Sequence, residues 1–265
     1  YAMDMQRLFH TPEQIPFYQR QQHKNPHYLG AQLSPQEVMP GIQAPYGGFT
    51  QPGTGYVNTQ TLLHDLATYL REKQAFQKTA VEYADITLQD KKVCYGYLQA
   101  RQIIFCDGYR MQQNPWFGSL PLQPDKGEIL NLHSTEKLSD TIINGHYWLI
   151  PQGGGQYRFG ATHEHQHIDT HSTHQAYQVL QQGMRGLLKN PEAVQTTAQQ
   201  AGVRPATPDR QPFIGTHPIH PQVHLFNGFG GRGALTIPWY AERFCDFLIQ
   251  GRPIPDNANI QRYGK

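Results

Sequence analysis

The chain has 265 residues and a formal net charge of +2, from 22 basic and 20 acidic side chains. That length sets a prior of one or two domains, and so even a charge balance gives no support for a broad nucleic-acid footprint. Three cysteines, Cys94, Cys106 and Cys245, form no CxxC, which excludes a disulfide scaffold and an all-cysteine zinc site. No apolar run approaches the roughly 18 residues of a membrane span, and residues 1–10 contain no signal-peptide core, so the expected compartment is the cytoplasm.

In chain order, a short helix is expected after Thr11, with Pro12 in its first turn and Pro16 cutting it short. Ser34-Pro35-Gln36-Glu37 has the spacing of a capping box and predicts one helical turn before Pro40-Gly41. Residues 46–56 are glycine-rich and read as turns around a strand piece near Phe49. Asn58 or Thr59 then caps a helix over 60–73, with Leu62, Leu63, Leu66, Ala67 and Leu70 on one stripe. Short apolar or alternating runs follow at 79–83, 85–89 and 92–98. Residues 102–106 hold Ile103, Ile104 and Phe105 in succession, the pattern of a strand buried on both faces of a parallel sheet.

Strands are expected at 128–132, 146–151 and 156–161, the last two flanking a glycine loop at 152–155. A helix over 173–189 carries Ala176, Val179, Leu180, Met184, Leu187 and Leu188 and stops before Pro191. A strand at 223–226, a glycine loop at 227–233 and a helix at 236–249 close the pattern. Scattered strands among long helices predict an α/β plus α+β chain of two interleaved lobes.

The sharpest motif is that last loop. Gly228, Gly230 and Gly233 spell G-x-G-x-x-G between an apolar strand and a helix. Glycines let backbone approach a ligand closely, and a helix start offers N–H groups and positive dipole. An anionic or electron-accepting group is expected there, against the plainer reading of a tight structural turn. An adenine-dinucleotide fingerprint would need an acid ending a second strand about 20 residues on. Asp256 has that offset but lies in Pro-Asp-Asn-Ala-Asn, which is no strand.

Several stretches resemble, in order, the motifs of the D-amino-acid oxidase/glycine oxidase family of FAD-dependent oxidoreductases. They are Gly55-Tyr56-Val57-Asn58; residues 100–108, ending in Asp107-Gly108; Pro124-Asp125-Lys126-Gly127-Glu128; Tyr147-Trp148-Leu149-Ile150-Pro151 with Gly160-Ala161-Thr162-His163-Glu164; residues 202–215, with Arg204-Pro205, Asp209 and Gly215; and the terminal glycine loop. The resemblance implies an FAD/NAD(P)-binding, glutathione-reductase-like lobe interleaved with a substrate lobe containing a mixed or antiparallel sheet. The expected division is 1–54 and 116–207 for the substrate lobe, and 55–115 and 208–265 for the FAD lobe. Family members open with a dinucleotide fingerprint that this chain does not show near residue 1, so the resemblance implies an incomplete FAD lobe and a missing amino-terminal portion.

What the resemblance implies for function is oxidation of the C–N bond of a small amino acid or N-substituted amine by hydride transfer to FAD. Arg204 would bind the substrate carboxylate as a charge-assisted fork, with an ion pair to Asp209 or Glu164 as its structural alternative. Arg232 would stabilise electron density on the flavin, helped by the N–H groups of Gly233, Ala234 and Leu235. Gly108, Gly228, Gly230 and Gly231 complete the expected cofactor contacts. Tyr147, on the strand opposite in facing to His146 and Trp148, would line the substrate cavity or simply pack a core. Two alternatives stand beside this reading: a non-catalytic fragment or subunit that does not bind FAD alone, and a flavin domain acting on an aminomethyl-modified tRNA wobble uridine. The charge balance weighs against the latter. His163, His165, His167, His171 and His174 are read as a polar loop without metal. The remaining expected partners are a small amine or amino acid and a second copy of the chain.

Overall fold

The computed structural model describes residues 1–264; Lys265, the end of the expected FAD lobe, lies outside them. The chain begins with β1 (Met5–Leu8), α1 (Gln14–Lys24), β2 (Gln32–Leu33), β3 (Gly48–Gln51) and α2 (Thr59–Glu72). Then come β4 (Ile86–Gln89), β5 (Lys92–Tyr95), β6 (Leu98–Ala100), β7 (Ile103–Phe105), β8 (Gln123–Ser134), β9 (Ile142–Asn144), β10 (Trp148–Gly153) and β11 (Gln156–Gly160). The last elements are α3 (His174–Leu187), β12 (Val194–Ala206), β13 (Phe213–Thr216), β14 (Val223–Asn227) and α4 (Gly233–Gln250). They group into two compact units, one of residues 1–58, 126–164 and 169–202, the other of 59–125, 165–168 and 203–265. Against the expected boundaries, residues 55–58 go with the first unit, and 116–125, 165–168 and 203–207 with the second.

The first unit is built on a sheet of order β12-β8-β11-β10-β9-β1-β3-β2. Its register is set by apolar cross-strand pairs. Leu130 and Leu132 of β8 stand opposite Phe159 and Tyr157 of β11, and Leu149 of β10 also faces Phe159. All five are buried, and α3 closes the same core with Leu180, Met184 and Leu187. The helix starts where expected because the Thr173 side chain accepts from the Ala176 N–H at 3.1 Å. Thr173 is itself held by Glu128, which accepts from its N–H and its hydroxyl, both at 2.9 Å. Beside Glu128 lies Lys126, 1% exposed, with its ammonium 2.6 Å from Asp169 and 3.8 Å from Glu128. A hydrogen bond from that ammonium draws the Asp169 carboxyl below its ordinary pKa.

The second unit has a sheet of order β13-β14-β7, antiparallel on one side of β14 and parallel on the other. The expected neighbours at 102–106 and 223–226 are thus paired, Val223 with Ile103 and Leu225 with Phe105. Phe213, Val223, Leu225 and Phe105 share one buried cluster with Ile86 and Val93 of the β4-β5-β6 meander. Tyr240 and Phe244 of α4 pack with Ile214 and Phe226 in another.

Several local expectations are corrected. The first helix runs through Pro16, because a proline near the N-terminus removes an N–H that has no intrahelical acceptor anyway. Ser34–Glu37 forms a turn and not a helix, although the Glu37 carboxylate does accept from the Ser34 N–H at 2.8 Å. The β7 strand is not buried on both faces: Ile104 is 42% exposed, since the α4 cluster draws on β13 and β14 but on no described residue of β7. The leucine stripe of α2 forms as expected yet buries nothing, with Leu62, Leu63 and Leu66 all about half exposed or more. The strand at 146–151 begins only at Trp148, so Tyr147 sits in the connection before β10 and not on a face of the sheet. Strands β1, β9 and the long, polar β12 are absent from the sequence expectation.

Tyr147 packs its ring on Phe159, centroid to centroid 5.3 Å, and directly against Gly183 of α3. A Cβ at Gly183 would overlap the Tyr147 ring. Glycine to alanine in a helix interior ordinarily stabilises; here the overlap reverses the sign. Gly183→Ala is expected to lower unfolding free energy by about 1–3 kcal/mol, the usual cost of overpacking. Urea denaturation of the two proteins checks it, and a gain in stability would refute the close approach.

Candidate functional site

Polar and glycine residues of the second unit converge where the parallel strands β7 and β14 end. Ligands of open α/β sheets bind outside the carboxyl ends of such strands. Asn227, the last residue of β14 and 3% exposed, donates from Nδ2 to the Gly108 carbonyl at 2.8 Å and accepts from the Gly228 N–H at 2.8 Å. One buried amide therefore ties together two strand ends that are 119 residues apart. Just before Gly108, the Asp107 Oδ2 accepts from the Tyr83 hydroxyl at 2.5 Å and from Asn114 Nδ2 at 3.0 Å. Burial and the Asp107 carboxylate push the Tyr83 phenol far above its usual pKa, so it stays a donor. The second Asp107 oxygen is buried without a partner among the described residues.

The terminal loop leaves β14 through Gly228, φ +80°, and Gly230, φ +54°. These left-handed values suit glycine, and a Cβ at Gly228 would also lie 2.9 Å from Thr207 Cγ2 and 3.1 Å from the Phe213 nitrogen. Residues 230–232 form a single 3₁₀ turn, and α4 begins at Gly233, three residues ahead of the expected start. The N–H groups of its first turn have no acceptor in their own helix. Gly231, Ala234 and Leu235 are exposed there.

Of the candidate side chains, Arg204 lies at this loop. Its Cδ is 3.5 Å from where a Gly231 Cβ would stand. Its Nη1 donates to Asp125 Oδ2 at 2.9 Å. Asp209 is taken by Arg262, at 2.8 and 3.3 Å. Arg232 forms the N-terminal boundary of α4, and its guanidinium donates to the Arg210 carbonyl. Tyr147 belongs to the first unit, where its ring is core packing. Among the described residues no group of three or more His, Cys, Asp or Glu side chains is placed to hold a metal. Among the described residues no helix is long and apolar enough to cross a membrane.

Asp125 and Asn227 are residues of this region that motif reading did not single out. Asp125 stood inside Pro124-Asp125-Lys126-Gly127, but its pairing spans 79 residues and leaves no local signal.

A glycine-rich loop between a parallel strand and a helix lies here at the carboxyl edge of the sheet, where α/β folds bind their ligands. The chain matches the family model described as FAD dependent oxidoreductase over residues 6–247, and it belongs to that family. It is 29% identical to the glycine oxidase of Pseudomonas putida over 196 residues, covering 69% of this chain and 53% of that protein. It is 23% identical over 225 residues to the tRNA 5-methylaminomethyl-2-thiouridine biosynthesis bifunctional protein MnmC of Nitrosospira multiformis, covering 77% of this chain and 36% of that protein. The chain thus spans about half the length of the first of these relatives, and less of the second. Among solved structures, glycine oxidase from Bacillus cereus superposes with a TM-score of 0.84 at 17% identity, covering 96% of this chain and 74% of that one. That likeness establishes the fold.

The Asp209–Arg262 pair anchors the segment leading into β13. Burial raises the Asp209 pKa, but hydrogen bonds from Arg262 and the Gln211 backbone outweigh it and hold it at about 2. A depressed carboxyl pKa contributes stability that is complete above the unfolded value of about 4 and is lost as pH falls through 2. Because Asp209 is about one third exposed, the contribution is on the order of 1 kcal/mol. Asp209→Asn is expected to be that much less stable at pH 6, with the gap closing by pH 2. Denaturant melts across that range check it, and a pH-independent gap would refute the linkage.

Proposed function

We propose that this chain is the catalytic part of an FAD-dependent oxidoreductase that oxidises the C–N bond of a small amino acid or N-substituted amine. The observation that carries this reading is the glycine loop at 228–233, which enters α4 at the carboxyl ends of β7 and β14 with the stem of Arg204 against it.

The residues fit such a cofactor on the side of its electron-accepting ring. Gly228 and Gly230 hold the loop in a conformation that keeps side chains away, and Gly231, Ala234 and Leu235 offer an exposed strip at the helix start. FAD, when bound, would accept one hydride, which carries the electron pair of the C–H bond, from the carbon next to the amine nitrogen, leaving a C=N bond. The protein supplies position and field. The first-turn N–H groups at Gly233, Ala234 and Leu235 direct positive potential at a group gaining negative charge. Arg232 adds a full charge at the same helix end. Gly108, at the end of β7, leaves room beside it. Arg204 is the group for a substrate carboxylate, since a guanidinium fixes both its place and its orientation. The residue assignments rest on this placement together with the family membership, and the lobe that binds FAD is assigned to the second unit, the substrate lobe to the first.

The likeness to the MnmC protein supports a second reading, in which the amine is carried on a tRNA. A net charge of +2 offers it little support.

Replacing Arg204 by Met removes the charge and the fork while keeping much of the stem. Loss of a charge-assisted, partly buried contact costs on the order of 2–5 kcal/mol, a factor of roughly 30 to several thousand. Single-turnover anaerobic reduction of the flavin-reconstituted variant is expected to fall by that factor for carboxylated amines and far less for decarboxylated analogues. Reduction of Arg204→Met by a small amino acid at the rate and affinity of the unaltered protein would refute the carboxylate role.

A further inference from the structure

The sheet of the second unit ends in the open at β7. At the other end, β13 is closed by a parallel bridge from Ile214 to Asn259, and β14 is paired on both sides. Beyond β7, no further strand is paired among the described residues. Ile104 stands beside His224 of β14 on the face that α4 covers, since the His224 ring meets Phe244 of that helix edge to face at 6.2 Å. The cover stops there: His224 is 3% exposed and Ile104 42%. Gln102 and Cys106, which share the face of Ile104 by alternation, are exposed as well. Open edges are ordinarily blunted by lysine, proline or a bulge. Residues 102–106, Gln-Ile-Ile-Phe-Cys, carry no charge and no proline, and the register of β7 on β14 advances without a shift.

We propose that this edge is an interface for a second copy of the chain, with β7 adding antiparallel to the partner's β7 across a two-fold axis at Ile104. A two-fold contact must be self-complementary, and this edge is. The axis sets Ile104 opposite the partner's Ile104, Gln102 opposite the partner's Cys106, and the exposed Arg101 opposite the partner's Asp107. Opposed residues of an antiparallel pair lie on one face, so two exposed isoleucines cover each other and residues of opposite charge meet at both ends. Moving the axis one residue either way sets Ile104 against Gln102 or Cys106 and loses both matches. The two three-stranded sheets become one of six strands, within the usual size of a sheet. Antiparallel joining places the two glycine loops at opposite ends of that sheet, so each copy keeps its own site. The contact is independent of what the site binds.

Sedimentation velocity of the 265-residue chain over a concentration series tests the contact. The expected result is a monomer–dimer equilibrium with a Kd on the order of 10 µM, in keeping with a contact below the roughly 1,200 Å² of standard interfaces. Ile104→Lys sets two like charges opposite each other and should weaken the dimer at least about tenfold. Gln102→Cys alters only an exposed side chain and supplies a second reading, decisive alone should Ile104→Lys not fold. Directly opposed residues have Cα atoms about 4.5–5.5 Å apart, within disulfide reach. Diamide should therefore link the introduced thiol to the partner's Cys106, two thiols giving one disulfide while diamide takes up their two hydrogens. Adding Cys106→Ser should abolish the link. The proposal is overturned by a chain that stays monomeric at about 100 µM, some tenfold above the expected Kd, or by association that runs past the dimer. A dimer as tight with Ile104→Lys as without it also overturns the proposal, as does a Gln102→Cys protein that diamide does not link through Cys106.

Discussion

The parallel pairing of β14 with β7 is the constraint on which the site depends. It aligns two strand ends from distant parts of the sequence so that Asp107-Gly108 and Asn227-Gly228 leave the sheet side by side. Parallel neighbours need long connections, and here the intervening chain contains most of the first unit. The Asn227 amide closes the arrangement by bonding both exits. Without it, the Gly108 carbonyl would lose a buried donor, at about 1–3 kcal/mol for an unsatisfied group. The register also decides what covers each face, with α4 on Ile214 and Phe226 and the β4-β6 meander on Phe105 and Leu225.

In the proposed function, the chemistry on this frame is a matter of placing few charges. The helix start, Arg232 and Arg204 bring positive potential to one end of the sheet, and Asp125 and Asp107 balance it. Asp125 binds Arg204 directly, while Asp107 is engaged with Tyr83 and Asn114. A site of this kind orients a ligand through charge geometry and leaves the redox step to the cofactor. No acid–base dyad is needed for that division of labour.

How much of this was legible in the sequence follows from how local each signal is. The helix over His174–Leu187 was readable because Ala176, Leu180, Met184 and Leu187 recur at helical spacing behind a Thr173 cap. The β7 and β14 strands were readable from short apolar runs that end in glycine. The β12 strand was not: Gln195, Thr196, Thr197, Ala198, Gln199 and Gln200 carry no alternation of large apolar side chains, and the sheet pairing of that strand with β8 overrides propensity. The α2 stripe showed the limit in the other direction, since periodicity gave the helix correctly but did not say that its leucines would stay exposed. At the site, the glycine loop and both arginines were visible as motifs. The partners of those arginines, Asp125 and the Arg210 carbonyl, depend on tertiary placement. Tyr147 was legible as an aromatic, but its role as packing against Gly183 could not be read from residues 36 positions apart.

The central claim, that this chain provides the amine-oxidising site of a flavoenzyme, is tested most directly by anaerobic mixing of the flavin-reconstituted protein with a panel of small amino acids and N-substituted amines. The account predicts loss of oxidised-flavin absorbance with at least one member of the panel, faster with carboxylated amines than with their decarboxylated counterparts. Bound flavin that stays oxidised with every amine, under conditions where a chemical reductant bleaches it, would contradict the account.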